Sequence, residues 1–262
     1  MKLINAYVTH WVVCCRLLLG GLLCVCTTAL YAQSPPLTDT IVDPKIATVL
    51  LYPQVGSVAA GGRPGSSAQT LNVPLVRFDD QAQSPLQLEF DDLTANYRNF
   101  RAKIIHCNAN WVHSVLNDIE YTYEYNDVPI TEYQVSVGTK IPYYHYRYSL
   151  PRLKLPGNYV LVVYNEQNRN QVLFTRRFRV YANLLSVDAA VRFSTDVSRQ
   201  FNDQQVDLTI GYRAYQSQVT SPQDDFKVVI RQNYRDDRTV TGLRPTNVRS
   251  FDQVLEYRAI DL

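Results

Sequence analysis

The chain has 262 residues, with 26 Lys or Arg against 24 Asp or Glu, thirteen prolines, nineteen tyrosines and a single methionine. That length allows one large or two small domains, each with a core of its own. The charge is too evenly balanced to neutralise a phosphate backbone, which argues against nucleic acid as a partner.

The first 32 residues read as a leader. Lys2 makes the start positive, an apolar run from Leu17 to Val25 follows Arg16, and Thr27, Thr28 and Ala29 lead to a cleavage site after Ala32. This is the three-part form of a secretory signal peptide. The run from Leu17 to Leu30 falls short of the roughly 20 apolar residues that cross a bilayer, so no transmembrane span is expected after cleavage. A lipid anchor at Cys24 or Cys26 fits poorly, because Leu23 stands directly before Cys24 where a small residue is wanted. Loss of Lys2 and Arg16 leaves the mature chain formally neutral, and loss of Cys14, Cys15, Cys24 and Cys26 leaves Cys107 alone. No internal disulfide can then form, so the fold must hold by its own core.

Residues 33–45 read as a linker, and Ile46 to Tyr52 as the first strand. Pro53 to Gln69 carries Gly56, Gly61, Gly62, Pro64 and Gly65 and reads as a mobile loop. Leu71 to Phe78, Leu86 to Phe90 and Arg98 to Cys107 are strand candidates. Trp111 and Val115 are four apart, a spacing that would suit a short helical turn between Trp111 and Ile119. Tyr121, Tyr123 and Tyr125 share one parity and predict an extended segment. Tyr144, Tyr146, Tyr148 and Leu150 alternate with Tyr143, His145, Arg147 and Ser149. Tyr159 to Val163 is nearly continuous in apolar residues and predicts a strand buried on both faces. Val172, Phe174, Phe178 and Val180 line one face that Arg176 interrupts; a charge at that parity implies a bulge, an edge or a paired arginine. Leu185, Val187, Ala189 and Val191 alternate, as do Val206, Leu208, Ile210 and Tyr212.

These patterns predict an all-β protein: an antiparallel, immunoglobulin-like β-sandwich over residues 46–182 and a second β domain over residues 183–262. The second stretch shows about five strands instead of the roughly seven of a full sandwich. It ends in strand-like sequence from Glu256 to Leu262, which reads as an incomplete domain.

The chemically loaded residues crowd into Ile105 to Leu116. His106, Cys107, Trp111 and His113 stand within eight positions, and with the leader gone Cys107 and Trp111 are the sole residues of their types. A nucleophilic cysteine needs a low thiol pKa and an adjacent base. His106 is its direct neighbour, so on a strand the two side chains point to opposite faces. The reading is therefore a small buried apolar residue and no catalytic site. His106, Cys107 and His113, with His145 as a possible fourth donor, match no zinc spacing, so no metal site is expected. The pairs Asp79-Asp80, Asp91-Asp92, Asp224-Asp225 and Asp236-Asp237 lie at predicted strand ends and read as solvated turn residues, not a glycosidase pair. Arg176, Arg177 and Arg179 read as a solvated strand face with one bulge. Tyrosine abundance fits sheet packing first, with carbohydrate platforms or protein interfaces as alternatives.

The order of the motifs carries a family resemblance. Asp91-Asp92-Leu93 precedes Tyr97-Arg98-Asn99-Phe100, and His106-Cys107-Asn108-Ala109-Asn110-Trp111 is followed by Ser114 and Leu116. Leu150-Pro151, Gly157-Asn158-Tyr159 and Phe174-Thr175-Arg176-Arg177-Phe178 complete the series. The chain resembles the plug-protein family of the type IX secretion system of Bacteroidota, from about Thr48 through Val180. The resemblance implies a periplasmic protein at the inner face of the outer membrane, partnered by the large translocon β-barrel whose periplasmic mouth it closes. It implies no cofactor, no small-molecule substrate and no catalytic residues. Its signature positions, His106, Cys107, Asn108, Trp111, Ser114, Gly157, Asn158 and Tyr159, are read as structural. The rival from another class is an exported carbohydrate-binding or adhesin sandwich, which exposed aromatic residues in loops would favour.

Overall fold

The computed structural model describes residues 35, 37–54, 73–82, 85–198, 201, 203–235 and 237–261. The leader, its cleavage site and most of the glycine-rich loop expected after Pro53 lie outside the described residues. Described helices are six residues or shorter, and the remainder is strand and turn: the protein is all-β, built as a sandwich.

Ten strands build the first part: β1 (Thr40–Ile41), β2 (Ile46–Pro53), β3 (Leu75–Arg77), β4 (Leu86–Asp92), β5 (Phe100–Cys107), β6 (Val128–Ile130), β7 (Glu132–Val135), β8 (Tyr144–Ser149), β9 (Gly157–Asn165) and β10 (Asn168–Tyr181). One layer runs β1-β10-β9-β5-β6, with β3 added in parallel to β10, and the other runs β2-β4-β8-β7. β9 lies between β5 and β10, and Tyr159 to Tyr164 are buried without alternation, as in a strand covered on both faces. The layers meet through Phe90, whose ring lies 5.5 Å from Phe100, 5.0 Å from Phe174 and 5.0 Å from Tyr146. Aromatic pairs of this kind contribute roughly 0.5–1.5 kcal/mol each beyond the area they bury.

Six further strands follow: β11 (Ser186–Phe193), β12 (Gln204–Gly211), β13 (Ile230–Arg231), β14 (Thr239–Val240), β15 (Asn247–Arg249) and β16 (Val254–Asp261). They form a sheet ordered β11-β12-β16-β15 and a separate β13-β14 pair. A second, smaller core gathers Val206, Leu208, Ile210 and Tyr212 against Leu255, Tyr257 and Ile260. The β12–β16 register slips between Val206 and Leu208, and there the Asp207 carboxylate accepts the Ala259 N–H at 3.0 Å.

Four expectations change. Trp111 to Ile119 does not form a helical turn; the single turn lies at Asp118–Tyr121, where the Glu120 carboxylate accepts the Asn117 N–H at 2.6 Å. That turn also breaks the extended reading of Tyr121, Tyr123 and Tyr125: Tyr121 is buried, while Tyr123 and Tyr125 are exposed on the turns that follow. Asp91 and Asp92 belong to β4 and are not solvated turn residues. Asp92 is fully buried because Arg98 clamps it with two bonds of 2.7 and 2.6 Å. Finally, the two register shifts in β10 precede Arg176, between Asn168 and Val172 and between Val172 and Phe174. Arg176 stands in regular register opposite Leu161, half-buried on the core parity, with Asp39, Val49, Tyr52 and Pro74 around it.

Candidate functional site

The signature residues gather at the end of β5, on both faces of the sheet. β5 ends at Cys107, and the chain turns back so that His113 bridges it in antiparallel fashion. Asn108 builds the turn. Its side-chain oxygen accepts the N–H groups of Asn110 and Val112, both at 3.0 Å, while its backbone pairs with Val112 at 2.9 Å and Trp111 at 3.0 Å. An asparagine offers this short-range carbonyl in the way a backbone turn would. Asn158 stands opposite Cys107 in the register, and its amide donates to the Asn108 and Ala109 carbonyls at 3.1 and 3.4 Å. The turn is thereby bolted to β9. The Ser114 N–H closes its exit on the His106 carbonyl at 3.1 Å.

Trp111 sits at the top of this turn with φ of 61°. A bulky residue in the left-handed region costs about 1–3 kcal/mol. The ring is only 9 % exposed and lies on the guanidinium groups of Arg177 and Arg179, 4.4 and 4.8 Å from its centroid. Cation–π stacking of this kind, together with burial, offsets the backbone cost. Arg177 and Arg179 are therefore roofed by Trp111; the solvated arginine face expected from the sequence is absent. The Arg177 Nε also donates to the Leu37 carbonyl at 2.7 Å, tying the N-terminal segment to the same place.

His106 occupies the other face. Its ring lies 5.6 Å from Tyr121 and 5.0 Å from Tyr159, which itself stacks on Phe178 at 5.3 Å. Gly157 explains itself here: a Cβ at that position would meet the His106 Nε2 at 2.7 Å. Burial, with a smaller push from His113, lowers the His106 pKa below the ordinary imidazole value. Cys107 is almost fully buried, its sulfur 4.0 Å from the Ile105 carbonyl. Burial raises its pKa, against a smaller opposite pull from Arg177. The His106 ring packs against Tyr159 on the opposite face of β5 from the buried Cys107 sulfur. Among the described residues no group of three or more His, Cys, Asp or Glu side chains is placed to hold a metal ion. No described helix is long and apolar enough to cross a membrane.

Two partly buried ionic clusters were not legible as such. Arg98 bridges Asp92 and Asp43, reaching the latter at 2.7 Å, and its carbonyl accepts the Tyr146 hydroxyl at 2.7 Å. Burial opposes ionisation of Asp43, but the Arg98 hydrogen bond and charge hold its pKa below the usual range. Arg101 binds Asp127 at 2.6 Å and Glu166 at 3.0 Å, and Tyr164 donates to the same Asp127 carboxylate. The partners are scattered through the chain, and alternation marks only the buried face. Asn126, ahead of β6, exchanges two bonds, 2.9 and 2.7 Å, with the backbone of Ile104.

Tyr97 and Tyr133, both exposed, gather with the partly buried Tyr144. The rings of Tyr97, Tyr133 and Tyr144 lie 4.8 to 6.0 Å apart, with Tyr97 in the loop before β5 and Tyr133 on β7.

No curated protein matches the chain. A crystal structure of a hypothetical protein from Parabacteroides merdae ATCC 43184 is similar over 84% of this chain, with a TM-score of 0.72 and 26% sequence identity. The likeness covers 52% of that protein, so the chain spans about half the length of this solved relative. The family model for the type 9 secretion system plug protein 1st domain matches residues 46–182, a range that holds the whole Cys107–Trp111 turn and its anchors on β9. With more than half of its length matched in this way, the chain belongs to the type 9 secretion system plug protein family.

Proposed function

We propose that this protein is an exported, periplasmic plug that seals the periplasmic mouth of the type IX outer-membrane channel, and that it works by binding, without catalysis, cofactor or metal. Family membership is the observation that carries the reading. The physics of a seal is consistent with it. A passage wide enough for folded cargo must be blocked by a rigid body, and rigidity comes from a closely packed core. The first core supplies that without a disulfide: both layers interlock through Phe90, and Cys107 is a free, buried thiol. Release requires contacts weak enough for competing subunits to displace, so stability belongs in the fold more than in the interface.

Affinity purification of the tagged protein from membranes in mild detergent tests this. Co-purification of a very large β-barrel protein is the expected result; its absence under conditions that preserve the barrel would refute the seal. The alternative, a carbohydrate-binding or adhesin sandwich, draws on the Tyr97–Tyr133–Tyr144 group, in which Tyr97 and Tyr133 are exposed. Retention on a glycan array that is lost in Tyr97→Ala would favour it.

A further inference from the structure

Among the described sheet edges, β11 stands apart. β1 and β6 are two and three residues long, β15 is three, β7 is four, and β2 ends in Pro53. β11 has eight residues, all exposed, and pairs with β12 on one side. Short length and proline blunt an edge against further pairing; a long regular edge stays open to another strand. The side chains sharpen the point. Val187, Ala189 and Val191 stand opposite Ile210, Leu208 and Val206, on the face that carries the second core. Yet Val187 is 61%, Val191 62% and Phe193 78% exposed. Asp188 and Arg192 are the charged residues of the strand, opposite in sign and placed symmetrically about Ala190.

We propose that β11 is a self-recognition edge: it pairs antiparallel with β11 of a second copy, with the two-fold axis beside Ala190. In that register each Asp188 faces Arg192 of the other copy, Val187 faces Phe193, and Ala189 faces Val191. Opposite charges and apolar pairs directly across antiparallel strands are the stabilising combinations. A slip of one residue sets the apolar row of one copy against the polar row of the other. A slip of two, in either direction, keeps the faces but leaves Asp188 and Arg192 facing Ala190, Ser186 or Ser194. The central register is thus the one that satisfies both charges, and it does so twice because the contact is isologous. Within its own copy Arg192 reaches Asp207 at only 3.6 Å, and its side chain stays 62% exposed, leaving the guanidinium open to a second carboxylate. The charges that would ordinarily protect such an edge are here complementary to themselves.

Sedimentation of the intact exported chain over a range of concentrations reads the outcome. The expected result is a reversible rise to twice the chain mass. Asp188→Arg should weaken association at least tenfold, as should Arg192→Asp, and combining the two should restore it. Ala190→Cys, an exposed position on the axis, should give a disulfide-linked pair on mild oxidation, since Cys107 is buried and out of reach. A single-copy mass at every concentration overturns the proposal. So does association indifferent to both charge reversals, or a monomer whose β11 amides are already protected from exchange by another part of the chain.

Discussion

Alternating apolar residues produce opposite outcomes in the two parts of this molecule. Val206, Leu208 and Ile210 on β12 are buried, whereas Val187 and Val191 on β11, in matching register one strand away, are exposed. In the first part, Tyr159 to Tyr164 have a strand on each side and covered faces, and the core gathers twenty-seven buried apolar residues among the described residues. In the second they number seven. Alternation therefore tells which way a side chain points; whether anything lies over it depends on a second layer. The first part has that layer in β2, β4, β7 and β8. Over β12 and β16 the second part is covered by single residues such as Phe226, Ile230 and Val240, and this cover stops short of β11.

Substitutions can sharpen or break this contrast. Trp111→Ala should have the largest effect, about 3–5 kcal/mol, because it removes a buried ring from its two guanidinium partners. Amide exchange should show β5 and β9 losing protection while β12 and β16 keep theirs; equal loss in both would mean that the two cores do not unfold separately. Gly157→Ala should cost about 1–3 kcal/mol, since the new methyl group overpacks the His106 ring. A denaturation cycle with His106→Ala should reveal strong coupling, because removing the ring clears the space. Strict additivity would show that the close approach carries no strain. Val187→Thr should be the mildest, within about 0.5 kcal/mol at low protein concentration. A larger loss by thermal denaturation would mean that β11 is covered in solution.

The strand order along the chain was largely legible, because sheet faces leave a period of two in the sequence. Tyr159–Val163 declared a doubly buried strand, and β9 is one. The crowding of rare residues between His106 and Ser114 likewise marked the site. Its geometry was less accessible. The spacing of Trp111 and Val115 suits a helix, but Asn108 satisfies the turn's N–H groups itself and tips Trp111 into the left-handed region; Val115 is left fully outside. Asp92 looked like a turn residue because its partners, Arg98 and the backbone around it, are defined by tertiary proximity and leave no periodic trace.

Arg98 has one more consequence, and it concerns time. Its guanidinium holds carboxylates 55 and 6 residues away, and its carbonyl takes a hydroxyl from 48 residues further on. Bringing such distant segments together costs loop-closure entropy before any bond rewards it. The long-range bonds to Asp43 and Tyr146 are expected to close late on the folding route, and contacts that form late chiefly slow the escape from the native state. Arg98→Ala should therefore shorten the wait before the first sandwich opens more than it delays its assembly.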